Sequence, residues 1–471
     1  MPVGHWDARD ETDYENLDYF VGSLQQSAID LYMYSNYNFL KLEEPSSHLY
    51  TRRHFAAGDD AICTVTRPDD DGLGGGICRK PDGTIYEDPA GKIDFEVEFE
   101  EVRRTIDNII MPWRELPGPD DVQTQIDSWR LVARDLSGTA TNQQGIISGA
   151  SDISANLFGI HTNVDNMSGA AIAQFKEKFV NKLGNAIAGH YAIAVLCGGA
   201  LTAERDIFKQ ARKSVMEAVV KTRNAMANIA FSEETDPWLV ALKIAQWSLE
   251  GAQAFAGGAV PLKTALSSFA LKALQASDVE GKPESDEVSA DDYNDAIGGF
   301  KATLDEINAE ITKGEKALSD NLIKNLEAIN KDRDSYDLKV EPISSPQNLV
   351  IIQPDLIEEI TGGHRPGGGY MRNISQDLRN NKNQAAGVSM ERGVRRPEDI
   401  GIGEVGPSGA FNAMRERLMK LMDDMAWDVE NGAAMLQKVM DALRSQDANS
   451  QKELESINQK IEKGSGIDPW G

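Results

Sequence analysis

A chain of 471 residues that is 41% hydrophobic but only 7% aromatic is long enough for two or three packed units, and its composition suits long helices better than a sandwich or barrel. With 75 acidic against 48 basic residues the formal net charge is −27, which argues against nucleic acid as a partner, because phosphate binding needs clustered Lys and Arg. The same charge favours solubility and repels anionic membrane surfaces.

The start, MPVGHWDARDETDYENLDYF, is acidic where a secretory leader is basic, and no apolar core follows, so no cleavable signal peptide is expected. Residues 1–95 read as an irregular extension. A short helix is expected near 17–40, followed by turn formers at Asp-Gly, Gly-Gly-Gly and Pro-Asp-Gly, with a small β-hairpin pairing 61–65 with 84–86. Cys63 and Cys78 flank these turns and are placed either to bridge one another or to remain free thiols, while Cys197 reads as a small buried hydrophobe.

From residue 96 the pattern turns helical, and a helical domain is expected over 96–335. Phe99, Val102 and Ile106 recur at helical spacing before a break at Pro112, which lacks a backbone donor. A second helix starts near Asp120, with Val122, Ile126, Trp129, Val132 and Leu136 as its stripe. Over 165–230 the turn residues Asn166, Met167, Ser168 and Gly169 precede Phe175, Phe179, Leu183 and Ile187, four positions apart on one helical face. The helix they predict runs about 60 residues, on the order of 90 Å, with Gly198 and Gly199 marking where any bend or close helix crossing is expected. The uncharged run 186–203 reads as its buried face rather than as a membrane span.

Residues 237–275 predict an apolar helical hairpin turning at Gly257, Gly258 and Pro261. An acidic link follows, then another long helix over 291–330. Residues 336–408, with their prolines and TGGHRPGGGY, read as an extended linker with one short strand at 349–352. A C-terminal amphipathic helix is expected over 409–463, where Leu418, Leu421, Met425 and Leu436 belong to a heptad-like seam that calls for a helix partner; 464–471 form a tail. The fold class is therefore all-α, an elongated bundle built on a long antiparallel helical hairpin, with an irregular N-terminal region.

Signatures of catalysis are missing. None of the six histidines has a second ligand at metal-binding spacing; His190 reads as a core residue, His161 as exposed beside a turn. No G-x-S-x-G, Walker loop or dinucleotide fingerprint occurs, and the clustered Asp69, Asp70 and Asp71, like Asp423 and Asp424, read as solvated acidic groups. No catalytic, cofactor-binding or metal-binding residue is nominated, and the chain is expected not to be an enzyme.

Over about residues 96–230 the chain resembles ESX-type (type VII) secretion substrates. The resemblance rests on the turn Asn166, Met167, Ser168, Gly169, on AAIAQFKEKFVNKL with its F-x-x-x-F, and on AERDIFKQARKSVMEAV further along the same helix. Met167 stands where that family usually has Trp, and its Tyr-x-x-x-Asp pattern occurs at Tyr14 and Asp18 rather than after the second helix. The resemblance implies a WxG-like helical hairpin at about 120–230, export or surface location without a cleaved signal, and pairing with a helical partner or a second copy. Membrane contact is not favoured. Rival readings are a membrane-active helical protein, a structural component of a phage tail or cell-surface assembly, and residence in the cytoplasm.

Overall fold

The structure, a computed structural model, describes residues 10–40, 42, 47–53, 62–68, 72–80, 82–85, 93–137, 151–168, 170–231, 292–338, 354–363, 368–445 and parts of 452–470. The apolar hairpin expected over 237–275, the acidic link after it, the strand at 349–352, the triplet Asp69, Asp70 and Asp71, and Gly169 all lie outside the described residues.

The described chain is mostly helical, with one small antiparallel sheet near its start. A short 3-10 turn, Tyr14–Asn16, begins where the Asp13 carboxylate accepts the Glu15 backbone N–H at 3.1 Å. It leads into α1 (Leu17–Tyr37), which buries Phe20, Val21, Leu24, Ala28 and Leu31. The helix ends at Asn38, held in the left-handed conformation (φ 54°) that Asn tolerates better than most residues.

Strands β1 (Leu49–Arg53), β2 (Ile62–Thr66) and β3 (Gly75–Arg79) then form a sheet in the order β1-β2-β3. This corrects the hairpin expected between 61–65 and 84–86. Strand β2 pairs with β1 and β3 instead, and Ile85 contributes only an isolated bridge to Arg79. The reason lies in Gly74, Gly75 and Gly76, all at positive φ, which turn the chain before the Pro-Asp-Gly signal is reached. A Cβ on Gly75 would also lie 2.5 Å from the Glu96 Cα, so the strand passes hard against the next helix. Cys63 and Cys78 face each other across β2 and β3 and are joined by a disulfide.

The described part of the first 95 residues is also less irregular than the sequence predicts, because a buried polar group fastens the sheet to α1. Asp30 on α1 receives both Nε (2.8 Å) and Nη2 (2.7 Å) of Arg67, just beyond β2, and the Tyr50 hydroxyl of β1 at 2.6 Å. The bidentate pair satisfies a carboxylate that burial alone would penalise. Phe39, Tyr50, Phe95 and Phe99 add edge-to-face ring contacts that join α1 and the sheet to α2 (Phe95–Ile110).

Helix α2 starts at Asp94, whose side chain accepts the Glu96 N–H, and buries Phe95, Phe99, Val102, Ile106 and Ile110 along one face. After a 3-10 turn at Met111–Glu115, α3 (Pro119–Leu136) opens with Pro119 at its first position, where no backbone donor is needed. Helix α4 (Asp152–Asp165) is capped by Ser151. Then come α5 (Ala170–Phe175), a π-helical turn (Lys176–Val180) and α6 (Asn181–Phe231), helical throughout. The irregularity in this long helix is therefore the π turn. Gly198 and Gly199, marked for any bend or close helix crossing, lie buried within one continuous 51-residue helix.

Helix α6 is the centre of the bundle. It packs against α1, α3, α7 (Tyr293–Lys331) and α11 (Ser408–Ser445), and its segment 191–203 is buried at every position. A helix apolar on all sides needs such a sheath. By length and composition it is also apolar enough to cross a membrane. Its polar backbone is used in the packing: the buried Trp129 indole on α3 donates to the Ala194 carbonyl at 2.7 Å.

Residues 336–408, expected to be an extended linker, instead carry α8 (Pro354–Thr361), α9 (Tyr370–Gly387) and α10 (Glu391–Val394). Pro354 opens α8, and Pro397, Gly401, Gly403, Gly406 and Pro407 fall in the loop between α10 and α11. Met371, Ile374, Leu378 and Ala385 give α9 a regular buried face, which rests on α11, α4 and α3. Two more side-chain bonds lock it there, Asn381 Nδ2 to the Val132 carbonyl (3.0 Å) and Ser375 Oγ to the Ala426 carbonyl (2.8 Å).

Candidate functional site

The turn that carries the family resemblance closes α4 with local bonds. The backbone N–H of Met167 donates to the Val164 carbonyl at 3.1 Å, its side chain is buried, and Ser168 is exposed. Beyond it the four predicted stripe residues do share one face. Phe175 and Phe179 stack with ring centroids 5.1 Å apart and planes at 12°, and Leu183 and Ile187 are completely buried. Phe179 presses on Gly432 of α11, where a Cβ would lie 2.7 Å from its ring. The C-terminal seam is spent in the same way. Leu418, Leu421, Met425 and Leu436 are buried, and α11 packs on α6, α7, α8 and α9. The helix partner that each stripe calls for is thus supplied by the chain itself.

Of the two helical histidines, His190 is in the core as expected and His161 differs. His161, expected at the surface, is buried on α4. His190 is completely buried on α6, and its Nε2 lies 3.0 Å from the Tyr336 carbonyl. A carbonyl only accepts, so Nε2 carries the hydrogen and Nδ1 is left without a partner. Burial lowers its pKa to about 4, against the partial support of that carbonyl. The unfolded chain takes up this proton near pH 6.5 while the fold refuses it, so the associated stability is intact above that pH and is lost as pH falls towards 4. The full loss is about 3 kcal/mol. Urea unfolding of wild type and His190→Gln at pH 7 and pH 4.5 should show the wild type losing more, and parallel losses would refute the assignment.

The densest group of buried charge was not anticipated from the sequence. Glu204 near the middle of α6, Glu315 on α7 and Arg396 between α10 and α11 meet with side chains wholly excluded from solvent. Arg396 Nη2 contacts Glu315 Oε1, and Nη1 lies 3.5 Å from Glu204 Oε1. The rest of the guanidinium is held by its own loop, with Nε donating to the Ile400 carbonyl (3.0 Å) and Nη1 to that of Val394 (3.1 Å), and with the Phe208 ring centroid 4.9 Å away. The loop is itself hydrogen-bonded to α7. Ile402 N–H donates to Glu315 Oε2 at 2.8 Å, Gly401 N–H to Asn308 Oδ1 at 2.7 Å, and Asn308 Nδ2 to the Asp399 carbonyl at 2.8 Å.

Two carboxylates share one guanidinium here. Burial first, and the charge of Glu315 second, push the pKa of Glu204 well above the ordinary carboxylate range. We assign the proton to Glu204 and the charge to Glu315, which has the closer contact with Arg396 and the backbone donor from Ile402; the cluster is then neutral. Gly401 (φ 65°) and Gly406 (φ 51°) let the loop close over it. A Cβ at Gly401 would sit 2.1 Å from Glu315 Oε2, and one at Gly406 3.0 Å from atoms of all three side chains. The sequence does hold a signal for this site, a Glu next to the apolar run of α6 and a glycine-spaced loop after Arg396, but nothing in it joins positions 204, 315 and 396. Chemically the group is a closed clasp between α6, α7 and the loop, because no solvent path reaches these side chains.

Comparison of the chain with protein-family models, with curated proteins and with solved structures finds no match.

Proposed function

We propose that this chain is a helical interaction protein of the kind exported by type VII systems, acting by helix packing rather than by catalysis. The observation that carries the proposal is the connection from α4 through the Met167 turn into the long helical run from Ala170 to Phe231, with the stacked Phe175 and Phe179 just past the turn. In this reading the long antiparallel hairpin is formed by α3 and α6, which lie against each other, and α4 with its turn joins them. Met167, which stands where that family usually has Trp, is buried at this turn.

Two further features support the reading. The disulfide between Cys63 and Cys78 is a bond that persists in oxidising surroundings, in keeping with a secreted or surface location. The buried charge at Glu204, Glu315 and Arg396 is sealed from any substrate, which favours a structural over a catalytic role. Since the stripes at 175–187 and 418–436 are covered internally, a partner meets the outer face of the folded bundle.

Fractionation of the native cells, with and without a working type VII export ATPase, tests the proposal. Intact chain in the culture filtrate only when the ATPase works is the expected result. Retention in the cytosol in both cases would overturn it, and ATPase-independent recovery in the envelope would favour the membrane-active alternative instead.

A further inference from the structure

At the far end of α7 from its start, three carboxylates converge. Asp337 follows the short turn Arg333–Ser335 after α7, and Asp424 and Asp428 stand one helical turn apart on the same face of α11. One oxygen from each lies within 4.8 Å of the other two. That separation is about the span of two oxygens on opposite sides of a calcium ion, given Ca–O distances of roughly 2.3–2.6 Å.

Acidic side chains at this density are ordinary on a surface of charge −27, but Asp428 is not at the surface. It is 8% exposed, it accepts no hydrogen bond, and no Lys, Arg or His forms an ion pair with it or with Asp337 or Asp424 among the described residues. A buried carboxylate facing two others is held either by a proton or by a cation that takes the proton's place, and three convergent oxygen ligands favour the cation.

The surroundings leave oxygen ligands in place while restraining them. Trp470 Nε1 donates to Asp337 Oδ2 at 3.0 Å, and Ser465 Oγ contacts Asp424 Oδ1, so the tail residues fix two of the three carboxylates from outside. The Trp470 ring is in turn held by Arg333 and Arg417, each with its guanidinium carbon 5.0 Å from the ring centroid. Such outer bonds are what orients carboxylate ligands in built metal sites.

We propose that Asp337, Asp424 and Asp428 form a binding site for one hard divalent cation, calcium or magnesium, which ties the end of α7 to α11 beneath the C-terminal tail. An all-oxygen ligand set with no sulfur or imidazole excludes a preference for softer metals. Bound ion stabilises the folded chain by mass action, and Trp470 reports its arrival.

The full chain, stripped with EDTA and titrated separately with CaCl2 and MgCl2, should show a rise in Tm and a saturable tryptophan fluorescence change at one ion per chain. The ion with the larger response identifies which cation the site fits. Asp428→Asn should weaken the response by at least about tenfold, the loss seen even for outer-sphere changes. In EDTA its Tm should be no lower than that of wild type. Asp320→Asn, which alters an exposed acid elsewhere on α7, should bind as wild type does. Trp470→Phe removes the donor to Asp337, so it should lose the fluorescence change and shift the Tm response to higher ion concentration. Should Asp428→Asn fail to fold, Asp424→Asn makes the same comparison. No response to either ion, or an equal response in the Asp variants and wild type, would overturn the site; the latter would mark diffuse binding to the acidic surface.

Discussion

Arg396→Met is expected to lower stability by about 3–5 kcal/mol, the cost of leaving a buried charge without its partner. The substitution keeps most of the side-chain volume against Phe208 but takes from Glu315 its only cationic partner here, leaving it the Ile402 N–H and the Glu204 carboxyl. It also removes the bonds to Val394 and Ile400 that shape the loop. Glu204→Gln should behave oppositely. Its folded pKa is raised, so folding at neutral pH requires uptake of a proton that the unfolded chain does not hold. Gln mimics the protonated form without that requirement. The variant should therefore match wild type near pH 4 and exceed it increasingly as pH rises above the ordinary Glu value. Urea unfolding at pH 5 and pH 8 separates the cases. Equal destabilisation by both substitutions would mean that Glu204 is ionised and shares Arg396 with Glu315.

Phe179→Ala should cost about 3–5 kcal/mol, the range for emptying a buried aromatic site. The ring is 3% exposed, stacks on Phe175, and fits against a glycine that leaves it just enough room. That fit supplies a more specific test than the single variant. Gly432→Ala places a methyl 2.7 Å from the Phe179 ring and should destabilise the wild type, whereas in the Phe179→Ala background the same methyl enters vacated space. A double-mutant cycle by thermal or urea unfolding should show strong coupling. Additive effects would show that α11 does not meet the stripe at Gly432.

The helices were legible because most obey one rule, apolar residues at spacings of three and four. That rule located α2, α3, α7, α11 and the stripe from Phe175 to Ile187. It failed for 336–408, where the counts of Pro and Gly outweighed the shorter regular face of α9, Met371, Ile374 and Leu378. Strand partners were misread because three consecutive glycines at positive φ turn the chain earlier than the Pro-Asp-Gly signal. The two buried charge clusters were illegible for a different reason. Glu204, Glu315 and Arg396, like Asp337, Asp424 and Asp428, are brought together by the packing of distant helices, and periodicity along one helix carries no record of which helix it will face. For the same reason the stripes at 175–187 and 418–436 announced the need for a partner without naming it, and the partner proved to be the chain itself.

The position of α6 has a consequence for how the protein comes into being. Its sheath is drawn from both ends of the sequence, α1 before it and α7 and α11 after it, so its apolar surface is not covered until the residues of α11 have left the ribosome. A nascent chain halted at any point between Phe231 and Ser408 displays a long greasy rod with at least one of its neighbours, α11, still missing, the kind of species that holdase chaperones bind and that otherwise aggregates. Contacts this remote in sequence also slow the search for the native state. Truncated products that stop before α11 therefore expose α6, and are expected to be more protease-sensitive than the full chain.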